Sequence, residues 1–275
     1  MNRFKASVII STYNQTEWLK KVLWSYEIQT ESRFEIIIAD DGSTEETKML
    51  INSFKSNSSL NIKHVWHEDN GFQKTKILNK SIIKASSHYI IFTDGDCIAR
   101  KDFVETHLKL QKEHYFLSGG YYKLIDSISK NITKEDIVQQ KCFNIDWLIK
   151  RGQLRNFKAN KLTAFGFKSW LLNTFTTTKA TFDGMNVSGW KKNIIEVNGF
   201  DERMHYGGED REIGERLMNN RIKFKQIRYS AICLHLYHER PYKDEQVLLK
   251  NRNIRKETKQ SKLVYTNFGI KNNKI

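Results

Sequence analysis

The chain of 275 residues carries 46 Lys and Arg against 31 Asp and Glu, a formal net charge of +15, with 39% hydrophobic residues and a single proline. This composition supports one large packed domain, or a domain with an extension, and excludes a disordered, collagen-like or low-complexity chain. The charge favours an anionic partner (nucleic acid, an acidic membrane face or a phosphorylated substrate), although no zinc-finger spacing or RNP-like aromatic motif supports a nucleic-acid reader.

Residues 6–10 read as a buried strand that runs into the polar cluster Ser11-Thr12-Tyr13-Asn14. Trp18, Leu19, Val22, Leu23 and Tyr26 then recur at helical spacing. A second apolar strand, 34–39, ends in Asp40-Asp41-Gly42-Ser43. There Ser43 or Thr44 caps a helix whose first turn holds Glu45 and Glu46. A third strand is expected over 62–66, a helix over 74–85 and a fourth strand over 89–93. The alternation predicts an α/β fold built from βαβ units with a mostly parallel sheet. In such a sheet the clusters at 11–14, 40–43 and 94–96 share the carboxyl edge, where ligands bind. No GxGxxG follows the first strand, which disfavours a dinucleotide-type site.

The fourth strand stops at Asp94-Gly95-Asp96. Two carboxylates at the end of a buried strand offer hard oxygen ligands to a divalent cation holding a phosphate. The same residues also make an ordinary acidic turn. On these residues alone both readings stand.

Further along, a helix is expected over 103–110 and a strand over 116–124, interrupted by Gly119-Gly120. Between 123 and 181 the pattern blurs into apolar patches among lysines and arginines. That segment reads as an amphipathic insertion on a membrane, the wall of an acceptor cleft, or helical core packing. Order resumes at Asp183-Gly184-Met185-Asn186, followed by Asn198-Gly199-Phe200-Asp201-Glu202. Tyr206-Gly207-Gly208-Glu209-Asp210 opens a helix with Ile213, Leu217 and Met218 on one face. The two acids complement the helix dipole, and the glycines ahead of them allow close approach of another molecule. A strand over 227–236 ends in His235-Leu236-Tyr237-His238-Glu239-Arg240-Pro241. Residues 244–259 read as an exposed helix, followed by a tail. Cys97, Cys142 and Cys233 form no CxxC, which fits a reducing compartment. No signal-peptide pattern or membrane-spanning stretch is present, so a cytoplasmic chain is expected.

In order and spacing, Val8-Ile9-Ile10-Ser11-Thr12-Tyr13-Asn14, Asp40-Asp41-Gly42-Ser43 and Asp94-Gly95-Asp96 resemble the nucleotide-sugar half of a family 2 glycosyltransferase. Gly184-Met185-Asn186, Asn198-Gly199-Phe200-Asp201-Glu202 and Gly207-Gly208-Glu209-Asp210 are similar to the C-terminal module of galactosyltransferases and chondroitin-polymerase-type enzymes. The resemblance covers roughly residues 5–240. It implies the GT-A fold, with a nucleotide-sugar half at 5–122, a variable helical acceptor region at 123–181, a catalytic and acceptor half at 182–240 and a basic extension at 241–275.

The same resemblance implies site roles. Ser11, Thr12, Tyr13, Asp41, Gly71, Lys76 and Asp94 would bind the nucleotide. Asp94, Asp96 and His238 would hold a divalent cation, Mn²⁺ rather than Mg²⁺, with His235 as the substitute for His238. Asp210 would be the general base, with Glu209 beside it, and Asn186, Gly208 and Glu209 would meet the acceptor or sugar. Where the family often has Arg-Asn this chain has Leu78-Asn79, so the cation at the diphosphate falls to Lys74 or Lys76. His64, His67, His88, His107, His114 and His205 are expected to be surface or core residues.

The implied reaction is inverting transfer of a hexose or N-acetylhexosamine, Gal or GalNAc foremost, from a UDP-sugar. The acceptor would be a polysaccharide or lipid-linked oligosaccharide at the inner membrane face, with no nucleic-acid partner. Two other readings remain: a sugar nucleotidyltransferase, for which the Gly-rich phosphate loop is missing, and a non-catalytic module binding anionic glycans or nucleic acid.

Overall fold

The computed structural model describes residues 3–239 and 244–273. Its first half alternates strictly: β1 (Ala6–Thr12), α1 (Thr16–Tyr26), β2 (Phe34–Asp40), α2 (Glu45–Asn57), β3 (Ile62–Trp66), α3 (Lys74–Lys84) and β4 (Tyr89–Asp94). Next come β5 (Cys97–Ala99), α4 (Phe103–Leu110), β6 (Tyr115–Ser118) and β7 (Gly120–Lys123). Four short helices follow, α5 (Asp126–Asn131), α6 (Lys134–Val138), α7 (Ile145–Ile149) and α8 (Asn160–Thr163), then α9 (Gly166–Thr174). The C-terminal part holds β8 (Asn186–Trp190), α10 (Lys191–Glu196), α11 (Glu209–Asn219), β9 (Lys223–Gln226), β10 (Ile232–His235) and α12 (Glu245–Gln260).

A seven-stranded sheet has the order β3-β2-β1-β4-β8-β6-β9, and a three-stranded sheet the order β5-β10-β7. β1 pairs in parallel with both β2 and β4, whereas β8 runs antiparallel to β4 and β6. β1 and β2 are buried along their whole length, as a parallel sheet covered on both faces requires. Successive side chains of a strand point to opposite faces. Val8, Ile10, Ile36, Ile38 and Ile91 therefore join one core, with Leu19, Val22, Leu23 and Tyr26 of α1. Ile9, Ile37, Ile90 and Phe92 join the other, with Ile77 and Ile82 of α3 and Ile213 and Leu217 of α11.

Four features depart from expectation. The strand expected over 116–124 is two strands in different sheets. The switch depends on its glycines: a Cβ on Gly119 would lie 1.9 Å from the Asn186 side-chain oxygen, and one on Gly120 would lie 2.1 Å from the Arg228 carbonyl. The strand expected over 227–236 is confined to β10, because the chain turns at Ile227–Ala231 through the Ser230 and Ala231 amides bonded to the Ile227 carbonyl. Met218 is exposed, while Ile213 and Leu217 of the same helix are buried.

The fourth departure is the C-terminal extension, which is not a free helix and tail. Asn251, Ile254 and Thr258 form a buried stripe on α12, hidden in sequence among charged residues. Beyond it, the Thr266 carbonyl accepts from Asn198 Nδ2, and Thr266 Oγ1 donates to Asp201 Oδ2. Glu202 N donates to the Phe268 carbonyl and Ile270 N to the Asn198 carbonyl. The extension thus packs back on the 198–202 loop. Arg240 and Pro241 of the histidine motif, and the boundary expected at 240/241, lie outside the described residues.

Candidate active site

The parallel register aligns the strand ends: Ser11 of β1 lies opposite Asp94 of β4 and Ala39 of β2. Strand order reverses across β1, so the crevice between β1 and β4 is a topological switch point, the usual ligand position in an open α/β sheet. There Ser11 Oγ donates to Asp94 Oδ1 at 2.6 Å, and Lys74 Nζ, from the start of α3, reaches the same oxygen at 2.7 Å. Burial opposes the charge on Lys74, but Asp94, Glu209 and Asp210 outweigh it and raise its pKa above the usual lysine range. One ammonium therefore answers carboxylates from both halves of the chain.

Next to this crevice Asp41 is held on both oxygens. His67 Nε2 lies 2.8 Å from Oδ1, and the Gln73 amide donates to Oδ2 at 3.0 Å. Lys80 Nζ lies 3.4 Å from His67 Nδ1, and an ammonium can only donate, so Nε2 carries the proton toward Asp41. Tyr13 is 46% exposed, and its hydroxyl donates to Asp69, whose other oxygen accepts from the Gly71 amide. The hydroxyl of Thr12 is enclosed without a hydrogen-bond partner among the described residues. An open aromatic face, a fixed carboxylate and an enclosed hydroxyl make a site suited to a planar, hydrogen-bonding base.

The second centre is built by β5 and β10. β5 begins directly after Asp96 and pairs antiparallel with β10, which sets His235 opposite Cys97, and the Leu236 amide donates to the Asp96 carbonyl. His238 Nε2 lies 3.0 Å and His235 Nε2 3.7 Å from Asp96 Oδ2, with the two rings stacked at 5.3 Å. The three ligand atoms fall within 4.8 Å of one another. His235 Nδ1 meets the Leu236 carbonyl at 2.7 Å and His238 Nδ1 the Glu239 carbonyl at 2.9 Å. A carbonyl only accepts, so both Nδ1 atoms carry protons, and both Nε2 atoms turn toward the Asp96 carboxylate. With Nδ1 anchored on a backbone carbonyl, each ring offers its Nε2 beside a carboxylate, which is the donor set and outer-atom orientation of a metal ligand site. Burial works against the Asp96 charge, but the His238 hydrogen bond and the nearby His235 hold its carboxyl below the usual range.

The third centre opens α11. Gly207 and Gly208 have φ of 108° and 93°, in the left-handed region open to glycine. Glu209 and Asp210 follow in the first turn, where the helix dipole favours negative charge. Asp210 Oδ2 accepts from the Gly184 amide at 3.2 Å, and Glu209 Oε2 from the Gly207 amide at 2.9 Å. Burial, then the adjacent Asp210, push the Glu209 carboxyl up to about 6, with Lys74 pulling the other way. Asp183 is also raised, by burial and then by Asp210.

Of the residues expected at the site, Asn186, Lys76 and Asp94 stand in surroundings that the sequence did not show. Asn186 does not face the cleft: it is fully buried, and its Nδ2 donates to the Gly120 and Ala231 carbonyls. Its Oδ1 accepts from His107 Nε2, His107 Nδ1 accepts from Ser188, and Tyr89 donates to Ser188. Burial keeps His107 neutral, its pKa lowered to about 4. Asn186 thus joins the two sheets instead of contacting an acceptor. The cation at Asp94 is Lys74; Lys76 lies about 200° farther round the helix. Asp94 itself engages Ser11 and Lys74, and both histidines, not one, meet Asp96.

Three contributors were missed. His67 braces Asp41, a partnership visible only in the β2–β3 register. Asn79 binds Phe200 N, the Phe200 carbonyl and Glu202, tying α3 to the C-terminal module. Asn251 of α12 donates to the His205, Tyr206 and Gly207 carbonyls, directly beneath the glycines that set Glu209 and Asp210.

The profile of glycosyl transferase family 2 matches residues 7–176, more than half of the chain. The chain belongs to glycosyl transferase family 2. A second family, described as the N-terminal domain of galactosyltransferase, matches residues 173–239, the stretch that carries Glu209, Asp210 and both histidines. Relatives include the chondroitin synthase of Escherichia coli, 29% identical over 284 residues, covering 98% of this chain and 40% of that protein. The uncharacterized glycosyltransferase YfnE of Bacillus subtilis is 27% identical over 259 residues, covering 85% of this chain and 65% of its own length. An uncharacterized glycosyltransferase of Rickettsia conorii is 34% identical over 126 residues, covering 45% of this chain. The chain spans only 20% of that Rickettsia protein's length.

Among solved structures, S. aureus TarS 1-349 in complex with UDP-GlcNAc gives a TM-score of 0.65 at 17% identity, covering 94% of this chain and 69% of that one. The mannosyltransferase PcManGT from Pyrobaculum calidifontis, in complex with GDP-Man and Mn²⁺, gives 0.57 at 16% identity, covering 87% and 59%. At these identities the likeness is one of fold, and the fold of this family 2 chain is GT-A, as expected.

Proposed function

We propose that this family 2 chain transfers a hexose or N-acetylhexosamine from a UDP-sugar to a hydroxyl of a polysaccharide or lipid-linked oligosaccharide, with inversion at the anomeric carbon. The observation that carries the reading is the meeting of Asp96, His235 and His238 beside Ser11, Asp94 and Lys74, at the sheet edge where nucleotides bind. Neighbours of the same fold are named in complex with UDP-GlcNAc or with GDP-Man and Mn²⁺. The galactosyltransferase match and the chondroitin synthase relative favour Gal or GalNAc as the sugar.

Tyr13 stacks on the base, Asp41 accepts its N–H, and Thr12 and Ser11 line the ribose. Lys74 sits at the diphosphate and balances the charge that grows on it. Asp96, His235 and His238 are suited to hold a divalent cation, and imidazole ligands favour Mn²⁺ over Mg²⁺. Such a cation, when bound, supplies positive charge to the diphosphate leaving group. Asp210 takes the proton of the acceptor hydroxyl as its oxygen forms the new bond to the anomeric carbon. The bond from that carbon to the β-phosphate oxygen breaks, and its electron pair leaves with UDP. Glu209 hydrogen-bonds the sugar or acceptor at the mouth of the cleft. The acceptor lies at the inner membrane face, toward which the +15 charge draws the chain.

Asp210→Asn tests the base. The variant is expected to keep UDP and metal affinity and to lose transfer by about 10²–10⁴-fold, measured by sugar incorporation from a panel of UDP-sugars with Mn²⁺. Turnover within a few-fold of the parent, or retained anomeric configuration in the fresh product by NMR, would overturn this mechanism.

A further inference from the structure

We propose that α9 is a docking surface for an anionic lipid bilayer. The inference rests on the membrane-side part of the function proposed above and names the surface that performs it. Between Asp146 and Asp183 the chain has no acidic residue, yet it carries Lys150, Arg151, Arg155, Lys158, Lys161, Lys168 and Lys179. Lys161 is buried, with its ammonium on the Tyr121 carbonyl; the other six are exposed.

In the same stretch large apolar side chains face solvent. Phe167 is 74% exposed, Trp170 56% and Phe175 72%, with Phe165 at 61% just ahead of the helix. Positions 167, 170 and 171 are one helical turn apart and share a face, and Phe167 stacks on Trp170 at 5.4 Å. Core packing does not account for this face. Ile128 of α5, Ile145 and Leu148 of α7 and Leu162 of α8 enter the core, whereas α9 buries only Ser169.

The polar groups on the inner side of α9 are already used within the chain. Asn173 donates to Ser230 Oγ and accepts from the Tyr229 amide, and Ser169 Oγ donates to the Gly166 carbonyl. The outer face therefore presents hydrocarbon and positive charge, the combination that seats an amphipathic helix in a headgroup layer. A second copy would set lysine against lysine across a two-fold axis. A saccharide would need hydrogen-bonding side chains beside the rings it stacks on, and Phe167, Leu171 and Phe175 offer none. Asn173 fixes α9 to the turn that leads into β10 and His235, so a docked helix would hold the cleft against the membrane.

Flotation of the full chain with phosphatidylcholine vesicles, with and without phosphatidylglycerol, tests this. Binding is expected only with phosphatidylglycerol. The triple variant Lys158→Glu, Lys168→Glu and Lys179→Glu is expected to lower partitioning by about 10²-fold at low salt. The triple variant Phe167→Ser, Trp170→Ser and Phe175→Ser is expected to lose binding even where the charge is intact. UDP-sugar turnover in solution is expected to be unchanged in both, so vesicle binding and donor chemistry can fail separately. The proposal is overturned if the parent floats equally with neutral vesicles, if it floats with neither, or if both variants float like the parent. A concentration-dependent dimer abolished by the aromatic variant would assign the face to a second copy and overturn it too.

Discussion

Asp96 is the residue on which both ends of the chain converge, and its neighbours define its chemistry. Two imidazoles turn their Nε2 atoms to it, so removing the carboxylate would remove the anionic ligand and leave a weak two-nitrogen site. Asp96→Ala is therefore expected to abolish Mn²⁺ binding by calorimetry, with Asn186→Ala as a control that destabilises the fold while metal affinity stays. Mn²⁺ binding at parental affinity in Asp96→Ala would place the cation elsewhere. Glu209 makes a pH prediction. Its folded pKa of about 6 lies above the ordinary 4.5, so folding favours the protonated acid. The effect on stability is absent below about pH 4.5 and grows into a cost as pH rises through about 6, at most about 2 kcal/mol. Glu209→Gln should match its parent in denaturant unfolding at about pH 4 and exceed it at about pH 7. An equal difference at both pH values would mean that burial does not raise this acid.

At the scale of elements, α12 supports the active-site loop from behind. Asn251 is fully buried and donates to three successive carbonyls, and Leu248 and Arg255 pack against Gly207 and Gly208. Asn251→Ala orphans those carbonyls, at a cost of about 1–3 kcal/mol. It also loosens the turn that aims Glu209 and Asp210, and a displacement of about 1 Å at reacting groups lowers rate by about 10²-fold. The expected signature is a fall in kcat with the KM for donor unchanged, because Asn251 bonds the carbonyls of 205–207, ahead of Glu209 and Asp210, and not the nucleotide residues. A rise in donor KM with kcat intact would remove Asn251 from this role. Sequence periodicity missed the stripe at 251, 254 and 258 because only one of its three members is apolar.

At the scale of the molecule, the first half continues through β4 and β8 into the sheet of the second, whereas the 198–210 region is closed by residues from the extension. Asn198 and Asp201 receive Thr266, Ile270 and Lys271, and Arg203 lies over the Phe268 ring at 4.0 Å. Removing residues 261–275 is expected to lower the melting temperature and abolish transfer, while UDP binding persists, as measured by thermal shift with and without UDP. Loss of UDP binding in that variant would show that the extension also supports the nucleotide half. The α/β class, the parallel first half and the placement of Asp94, Asp96, Glu209 and Asp210 were all legible in sequence. Each depends on local signals: apolar runs ending in acids, and glycines preceding a helix.

The sequence by itself determined where strands end and helices begin, and so which acids and histidines stand at those ends, because these boundaries are written locally in hydrophobic periodicity and turn residues. The tertiary structure alone decided how they are shared. It set His235 beside Asp96 through the β5–β10 pairing, gave Asp94 to Ser11 and Lys74, and withdrew Asn186 into the core. The physical reason is distance along the chain. Asp96 and His238 are 142 residues apart, and strand pairing, not local sequence, fixes which side chains share a few cubic ångströms of space.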